Sequence, residues 1–269
     1  MSDFLQTMAA LSAERATGVE PRFSSADLDK PVVAMRHQGF GVIAEIKDRS
    51  PAEGDLATPS SDRTQQAQAY AHGGAAAISV LTEPSRFSGD LAHLAEVVAA
   101  VPNTPVMRKD FLVEPVQVSE ARKAGASGVL LITTMLSDDK LRAMLDRAWE
   151  HDLFVLLEAF DEVDLARSTR LLDNDGDMER AQCGQLLIGV NTRNLRTLEV
   201  DNKRLERLAP LLPKVTCVAE SGLRVAADAR RVAGWGYGMA LVGTALMKSD
   251  DPASLVEAMR EAGNTGLAA

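Results

Sequence analysis

Short apolar runs recur along the chain with polar or amphipathic stretches between them. Val42–Lys47, Ala75–Leu81, Pro105–Arg108, Gly128–Ile132, Leu153–Glu158, Gln185–Val190, Val215–Glu220 and Met239–Val242 each read as a strand. Several are near-continuous Val, Ile, Leu and Ala, the pattern of parallel strands covered on both faces and not of a sheet with one wet face. Between them, Leu91–Ala100 sets Leu91, Leu94, Val97 and Val98 on one stripe, and Asp138–Trp149 does the same with Leu141, Leu145 and Trp149. That is helical periodicity. Repeated strand and helix units admit a closed (β/α)₈ barrel or an open doubly wound sheet, and periodicity alone does not choose between them.

Residues 1–41 precede the first strand and contain an amphipathic stretch, Phe4–Ala13, with Phe4, Leu5, Met8 and Leu11 on one side. This predicts an N-terminal helical extension on a single domain spanning 1–269. The segment Asp161–Gly184 is longer than one crossover helix needs, and its Asp173-Asn-Asp-Gly-Asp177 stretch predicts an exposed, solvated insertion. That stretch lacks the register and terminal Glu of a calcium-binding EF-hand loop. Gly234-Trp-Gly-Tyr-Gly238 precedes a strand and does not match the dinucleotide fingerprint, so no nicotinamide cofactor is implied.

A length of 269 residues suits one α/β barrel, and 46% hydrophobic with 25% charged residues allows a sizeable core. The net charge of −9 gives no chain-wide attraction for nucleic acid, so anion recognition is expected to be local. Cys183 and Cys217 show no CxxC spacing, and His37, His72, His93 and His151 form no close pair, so neither a disulfide framework nor a metal site is expected. No leader-like or membrane-spanning apolar run appears, and the cytoplasm is the expected compartment.

The polar residues at the strand ends carry the chemistry. Glu45 and Lys47 end the first strand, Lys109 follows the third, Glu158 ends the fifth, Asn191 and Arg193 follow the sixth, and Glu220 ends the seventh. Barrel enzymes place their reacting groups at this end of the strands. Glu45 and Lys47, two apart, point to the same side. Any one of these is ordinarily a solvated strand-end charge. Two lysines and three glutamates in equivalent positions instead suit general acid–base catalysis, with a carboxylate and an ammonium acting on different atoms of one substrate. Ser221 and Gly222 after the seventh strand, with Gly243 and Thr244 after the eighth, predict a phosphate site built largely from backbone N–H groups.

These residues sit in motifs that resemble the indole-3-glycerol-phosphate synthase family of tryptophan biosynthesis, from about Gly41 to Pro252. The motifs are Ile43-Ala-Glu-Ile-Lys-Asp-Arg-Ser-Pro51, Ala75-Ala-Ala-Ile-Ser-Val-Leu-Thr-Glu83 with Phe87 and Gly89 after it, Pro105-Val-Met-Arg-Lys-Asp-Phe111, Leu156-Leu-Glu158, Ile188-Gly-Val-Asn-Thr-Arg-Asn-Leu195, Val218-Ala-Glu-Ser-Gly222 and Leu241-Val-Gly243. The resemblance implies a (β/α)₈ barrel that needs no cofactor. The implied lyase reaction closes the indole ring of 1-(2-carboxyphenylamino)-1-deoxyribulose 5-phosphate, with loss of carbon dioxide and water.

By position, Lys109 matches the general acid and Glu158 the base of the dehydration. Lys47 serves acid chemistry or the phosphate, and Glu45 and Glu220 hold the lysines and sugar hydroxyls. Ser50 and Arg193 are placed to meet the anthranilate carboxylate, and Pro51, Phe87, Phe111 and Leu131 to wall its ring. The chain departs from the family's usual pattern at Ala159-Phe160, Val116, Thr192 and Thr244, and in the length of Asp161–Gly184. Two other readings compete. One is a related phosphosugar barrel such as phosphoribosylanthranilate isomerase, whose Amadori chemistry fits the two lysine motifs less well. The other is a noncatalytic phosphosugar-binding paralogue.

Overall fold

A computed structural model describes residues 3–20, 23–50, 54–56, 62–193, 201 and 203–268. The apolar runs become β1 (Gly41–Ile46), β2 (Ala77–Leu81), β3 (Val106–Lys109), β4 (Gly128–Ile132), β5 (Phe154–Ala159), β6 (Leu186–Asn191), β7 (Cys217–Glu220) and β8 (Met239–Val242). Each neighbouring pair is parallel. β1 pairs with both β2 and β8, so these strands close into a barrel. An open sheet is thereby excluded, and the strand bounds lie within two residues of those the apolar pattern predicts.

Helices α2 (Arg63–His72), α3 (Leu91–Ala100), α4 (Pro115–Ala124) and α5 (Asp138–Glu150) follow the first four strands in turn. Their starts are written in the sequence. Asp62, Asp90 and Ser137 accept hydrogen bonds from the first free amides of α2, α3 and α5. The later crossovers hold α6 (Glu162–Arg170), α7 (Asp175–Gln182), α8 (Arg204–Leu208), α9 (Ala226–Gly234), the single turn α10 (Thr244–Met247) and α11 (Pro252–Leu267). Among the described residues no helix is long and apolar enough to cross a membrane.

The N-terminal amphipathic stretch forms α1 (Asp3–Thr17), which buries Leu5, Met8 and Ser12. Ser12 meets the barrel directly, because the Gln117 side-chain amide on α4 donates to its hydroxyl at 2.9 Å.

The insertion expected over Asp161–Gly184 leaves Asp173, Asn174, Asp175 and Gly176 exposed, as predicted, but it is not a loop. It folds as two helices, α6 and α7, joined by a short 3₁₀ turn at Leu171–Asp173. The turn-forming residues do local work: Asn174 caps α7 by accepting from the Asp177 amide at 3.2 Å. Asp177 is itself buried and accepts from Arg142 of α5 at 2.6 Å. A stretch rich in Asp and Asn thus starts a helix as readily as it forms a loop, and only the partner on α5 separates the two.

In-and-out alternation along the strands decides what the barrel mouth contains. Gly41, Gly128 and Gly189 each face the interior, where an added Cβ would meet Met239, Phe154 and Glu220 respectively. Counting by twos along each strand, and across the registered pairs Glu45↔Ser79, Leu81↔Lys109, Ile132↔Glu158 and Asn191↔Glu220, fixes one inward set. Its upper members from the odd strands are Glu45, Lys109, Glu158 and Glu220. The even strands contribute Leu81, Ile132, Asn191 and Leu241.

Candidate active site

All of these upper side chains except Glu220, which is fully buried behind them, line a cavity of about 880 Å³ at the C-terminal ends of the strands. The layering of barrel interiors, four side chains from alternate strands, here places four ionisable groups in one layer. Lys109 sits among them. Its Nζ lies 3.1 Å from Glu220, 3.6 Å from Glu45 and 3.7 Å from Glu158. Lys47, one residue beyond β1, donates to Glu45 Oε1 at 2.6 Å. Space for this cluster comes from two glycines. An added Cβ at Gly189 would strike Glu220, and one at Gly243 would strike Glu45 and Lys47.

The electrostatics follow from three carboxylates facing two ammonium groups under near-complete burial. Burial by itself would depress the Lys109 pKa, but Glu220, Glu45 and Glu158 together raise it above the ordinary lysine value, so the ammonium stays charged. For Glu45, burial works upward, yet Lys47 and Lys109 outweigh it and hold the carboxyl below its ordinary range. Glu158 moves the other way. Burial, reinforced by the neighbouring Glu220 charge, raises its pKa well above 4.5 against the pull of Lys109. Glu158 has no close hydrogen bond to Lys109, 3.7 Å away, and the side chains that face its carboxyl are Glu220 and Asn191. Three negative charges against two positive leave an excess of one, and a single proton on Glu158 removes it.

Around this cluster the cavity collects most of the expected binding residues. Ser50, Phe87, Phe111, Asn191, Arg193, Ser221, Gly222, Gly243 and Thr244 all line it. Phe111 stacks at a tilt on Phe87, with centroids 6.1 Å apart. Asn191 Oδ1 accepts from the Arg193 amide at 2.9 Å, which fixes the start of the β6 loop. Ser221 and Gly222 both have positive φ, 66° and 78°. A serine in the left-handed region is strained, and such strain concentrates at functional turns. Pro51, expected on the ring wall, lies outside the described residues.

Leu131 is a correction. It pairs with Leu157 on the outward face and is fully buried away from the cavity, while its neighbours Leu130 and Ile132 line it. The apolar run Gly128-Val-Leu-Leu-Ile132 carries no polar residue to mark which parity faces inward. Three further contributors have no strong local signal: Phe4 from α1, whose ring meets Phe111 edge-on at 5.9 Å, and Leu81 and Leu241. Asp110, directly after Lys109, also lines the cavity and is buried. Phe160, where the family's pattern usually carries histidine, is fully buried in the core.

Comparison with known proteins assigns the family. The profile of the family described as "Indole-3-glycerol phosphate synthase" matches residues 9–259. The indole-3-glycerol phosphate synthase of a Nocardioides species is 47% identical over 251 residues, covering 91% of each chain. That of a Parafrankia species is 43% identical over 258 residues, 96% of this chain and 88% of its own. Among solved structures, 3-hexulose-6-phosphate synthase from Salmonella typhimurium superposes with a TM-score of 0.62 at 14% identity, over 83% of this chain and 98% of that one. At that identity it shares the barrel and no more. Family profile, curated relatives and motif order agree: the chain belongs to the indole-3-glycerol phosphate synthase family.

Proposed function

We propose that the cavity closes the indole ring of 1-(2-carboxyphenylamino)-1-deoxyribulose 5-phosphate to give indole-3-glycerol phosphate, carbon dioxide and water. The observation that carries this reading is Lys109, a buried ammonium ringed by carboxylates from three other strands beneath an aromatic wall. In the first step the ring carbon bearing the carboxylate attacks the ribulose carbonyl. Negative charge develops on the carbonyl oxygen, where the Lys109 ammonium stabilises it and delivers a proton. The carbon–carboxylate bond then breaks, and its electron pair restores the aromatic ring. In the last step the new hydroxyl leaves as water while a proton is lost from the adjacent carbon. Glu158 is the group for that transfer, because burial and the neighbouring Glu220 raise its pKa, which makes its carboxylate a stronger base than an ordinary one and lets the proton it takes be returned to the departing hydroxyl.

Lys47 and Glu45 form the second acid–base pair of the mouth, and Glu220 with Asn191 keeps Lys109 and the sugar in register. Ser50 and Arg193 are assigned to the carboxylate that departs. The phosphate is assigned to the backbone at Ser221–Gly222 and at Gly243–Thr244, where the turn α10 begins. Main-chain donors reconcile anion binding with a net charge of −9. We also infer that residues 1–269 act as one barrel domain in the cytoplasm with 1–41 as its extension, the docking of α1 on α4 being the support for the first part.

The test is a continuous assay of indole fluorescence with the carboxyphenylamino substrate. Product formation is expected from the purified chain. Conversion of phosphoribosylanthranilate instead would establish the isomerase reading, and binding of the ring-closure substrate without turnover would establish the noncatalytic one.

A further inference from the structure

Arg15 stands on α1, far from the catalytic layer in sequence, yet its guanidinium ends at the joint of two cavity loops. Nη2 donates to Asp110 Oδ1 at 2.7 Å, and Nη1 lies 3.7 Å from Glu83 Oε1. Both carboxylates are buried, and each has a second task. Asp110 also accepts from the Thr82 hydroxyl at 2.9 Å, from Arg108 at 3.1 Å and from the amide of Phe111 at 2.8 Å. Glu83 accepts from the amides of Ser85 and Arg86 at 2.9 and 2.7 Å, capping the helical turn Pro84–Phe87. One carboxylate therefore sets the backbone of Phe111, and the other sets the turn that presents Phe87. The same helix supplies Phe4, which packs against Phe111 from its first turn.

We propose that Arg15 is a positioning residue for the aromatic subsite: by bridging Asp110 and Glu83 it holds Phe111, Phe87 and Phe4 as one wall for the substrate's ring. The proposal rests on the ring-closure reading and deepens it. Lys109 does not depend on this bridge to the same degree, because Glu220, Glu45 and Glu158 hold it from inside the barrel. Among the described residues the partners of Arg15 are Asp110 and Glu83, and no hydrogen bond or ion pair joins these three to the phosphate loops after β7 and β8. Loss of the bridge should therefore fall on ring binding and spare both the chemical step and the anion site.

The geometry also grades the substitutions. Lysine carries one ammonium in place of a fork, so it reaches Asp110 or Glu83 and not both. Ser12, one turn earlier on α1, is tied to Gln117 and not to either carboxylate, so Ser12→Ala loosens the helix without breaking the bridge.

The experiment measures steady-state ring closure and competitive inhibition by inorganic phosphate for the wild type, Arg15→Ala, Arg15→Lys and Ser12→Ala, with circular dichroism melts to verify folding. Arg15→Ala is expected to raise KM about tenfold with kcat within about twofold and the phosphate inhibition constant unchanged, the split expected when ground-state binding alone is lost. Arg15→Lys should fall between it and the wild type, and Ser12→Ala should match the wild type. An unchanged KM in Arg15→Ala overturns the proposal. So does a parallel rise in KM and the phosphate constant, a fall in kcat at constant KM, or an equal effect in Ser12→Ala, each of which makes Arg15 a support of the whole mouth or of Lys109. Should Arg15→Ala fail to fold, a wild-type KM in Arg15→Lys overturns it equally. A wild type that turns over no substrate overturns the ring-closure reading itself, and this proposal with it.

Discussion

Glu158 should leave a thermodynamic mark that is independent of catalysis. Its folded pKa is raised above the ordinary 4.5, so between 4.5 and the raised value the native state holds a proton that the unfolded state has released. A group raised in this way contributes stability that is complete below the unfolded pKa and is lost as pH rises through the folded one. Across the window the wild type should lose about 1.4 kcal/mol per pH unit through this group. Glu158→Gln mimics the protonated carboxyl in shape and binds no proton, so it escapes that loss. The stability difference between variant and wild type should therefore grow with pH in favour of the variant, then level off above the folded pKa. For a chain of this size about 1 kcal/mol shifts Tm by roughly 2 °C, so the gap should widen by about 3 °C per pH unit. Thermal melts of both proteins in steps from about pH 5 to pH 8 measure it, and subtraction removes the titration of the shared groups that lie away from the Glu45, Lys109 and Glu220 cluster. A gap that stays constant, or one that turns against Glu158→Gln as pH rises, would mean that Glu158 is ionised in the resting protein and that the charge balance inferred for the cluster is wrong.

Lys109→Ala should lower kcat by at least about 10²-fold, the lower end of general acid catalysis, and should destabilise the fold because three buried carboxylates lose their shared cation; single-turnover kinetics and melts check both. Leu131→Ala should cost about 2–5 kcal/mol in urea unfolding while leaving KM near the wild-type value, because the residue packs against the helices and not in the cavity. Gly243→Val should impair kcat and stability as well as affinity, since its side chain would displace the Glu45–Lys47 pair; a loss confined to phosphate affinity would contradict the placement. Thiol titration of the native protein should modify Cys183 readily. Cys217, with its pKa pushed up to about 12 by burial, should react only after unfolding.

Much of this architecture is legible in the chain. Eight apolar runs and the caps between them depend on local chemistry, and local chemistry is what a sequence displays. Charges at the ends of β1, β3, β5 and β7 recur at equivalent positions, which groups Glu45, Lys109, Glu158 and Glu220 as one set, although Arg108 beside Lys109 shows that a charge facing the helices is also buried and paired, there with Glu120.

What tertiary structure alone decided has an equally physical reason. Closure depends on β1 meeting β8, an interaction between strands almost two hundred positions apart that leaves no periodic trace. In β4, buried on both faces and wholly apolar, inward and outward residues look alike, so the resemblance offers Leu131 for a wall that Leu130 and Ile132 line. The Asp- and Asn-rich stretch at 173–177 became a helix start because Arg142, on another helix, pairs with Asp177. Arg15 shows the limit most clearly: its importance lies in two buried carboxylates on separate loops, and a solvent-exposed arginine of α1 would read the same in the sequence until the fold brought Asp110 and Glu83 to it.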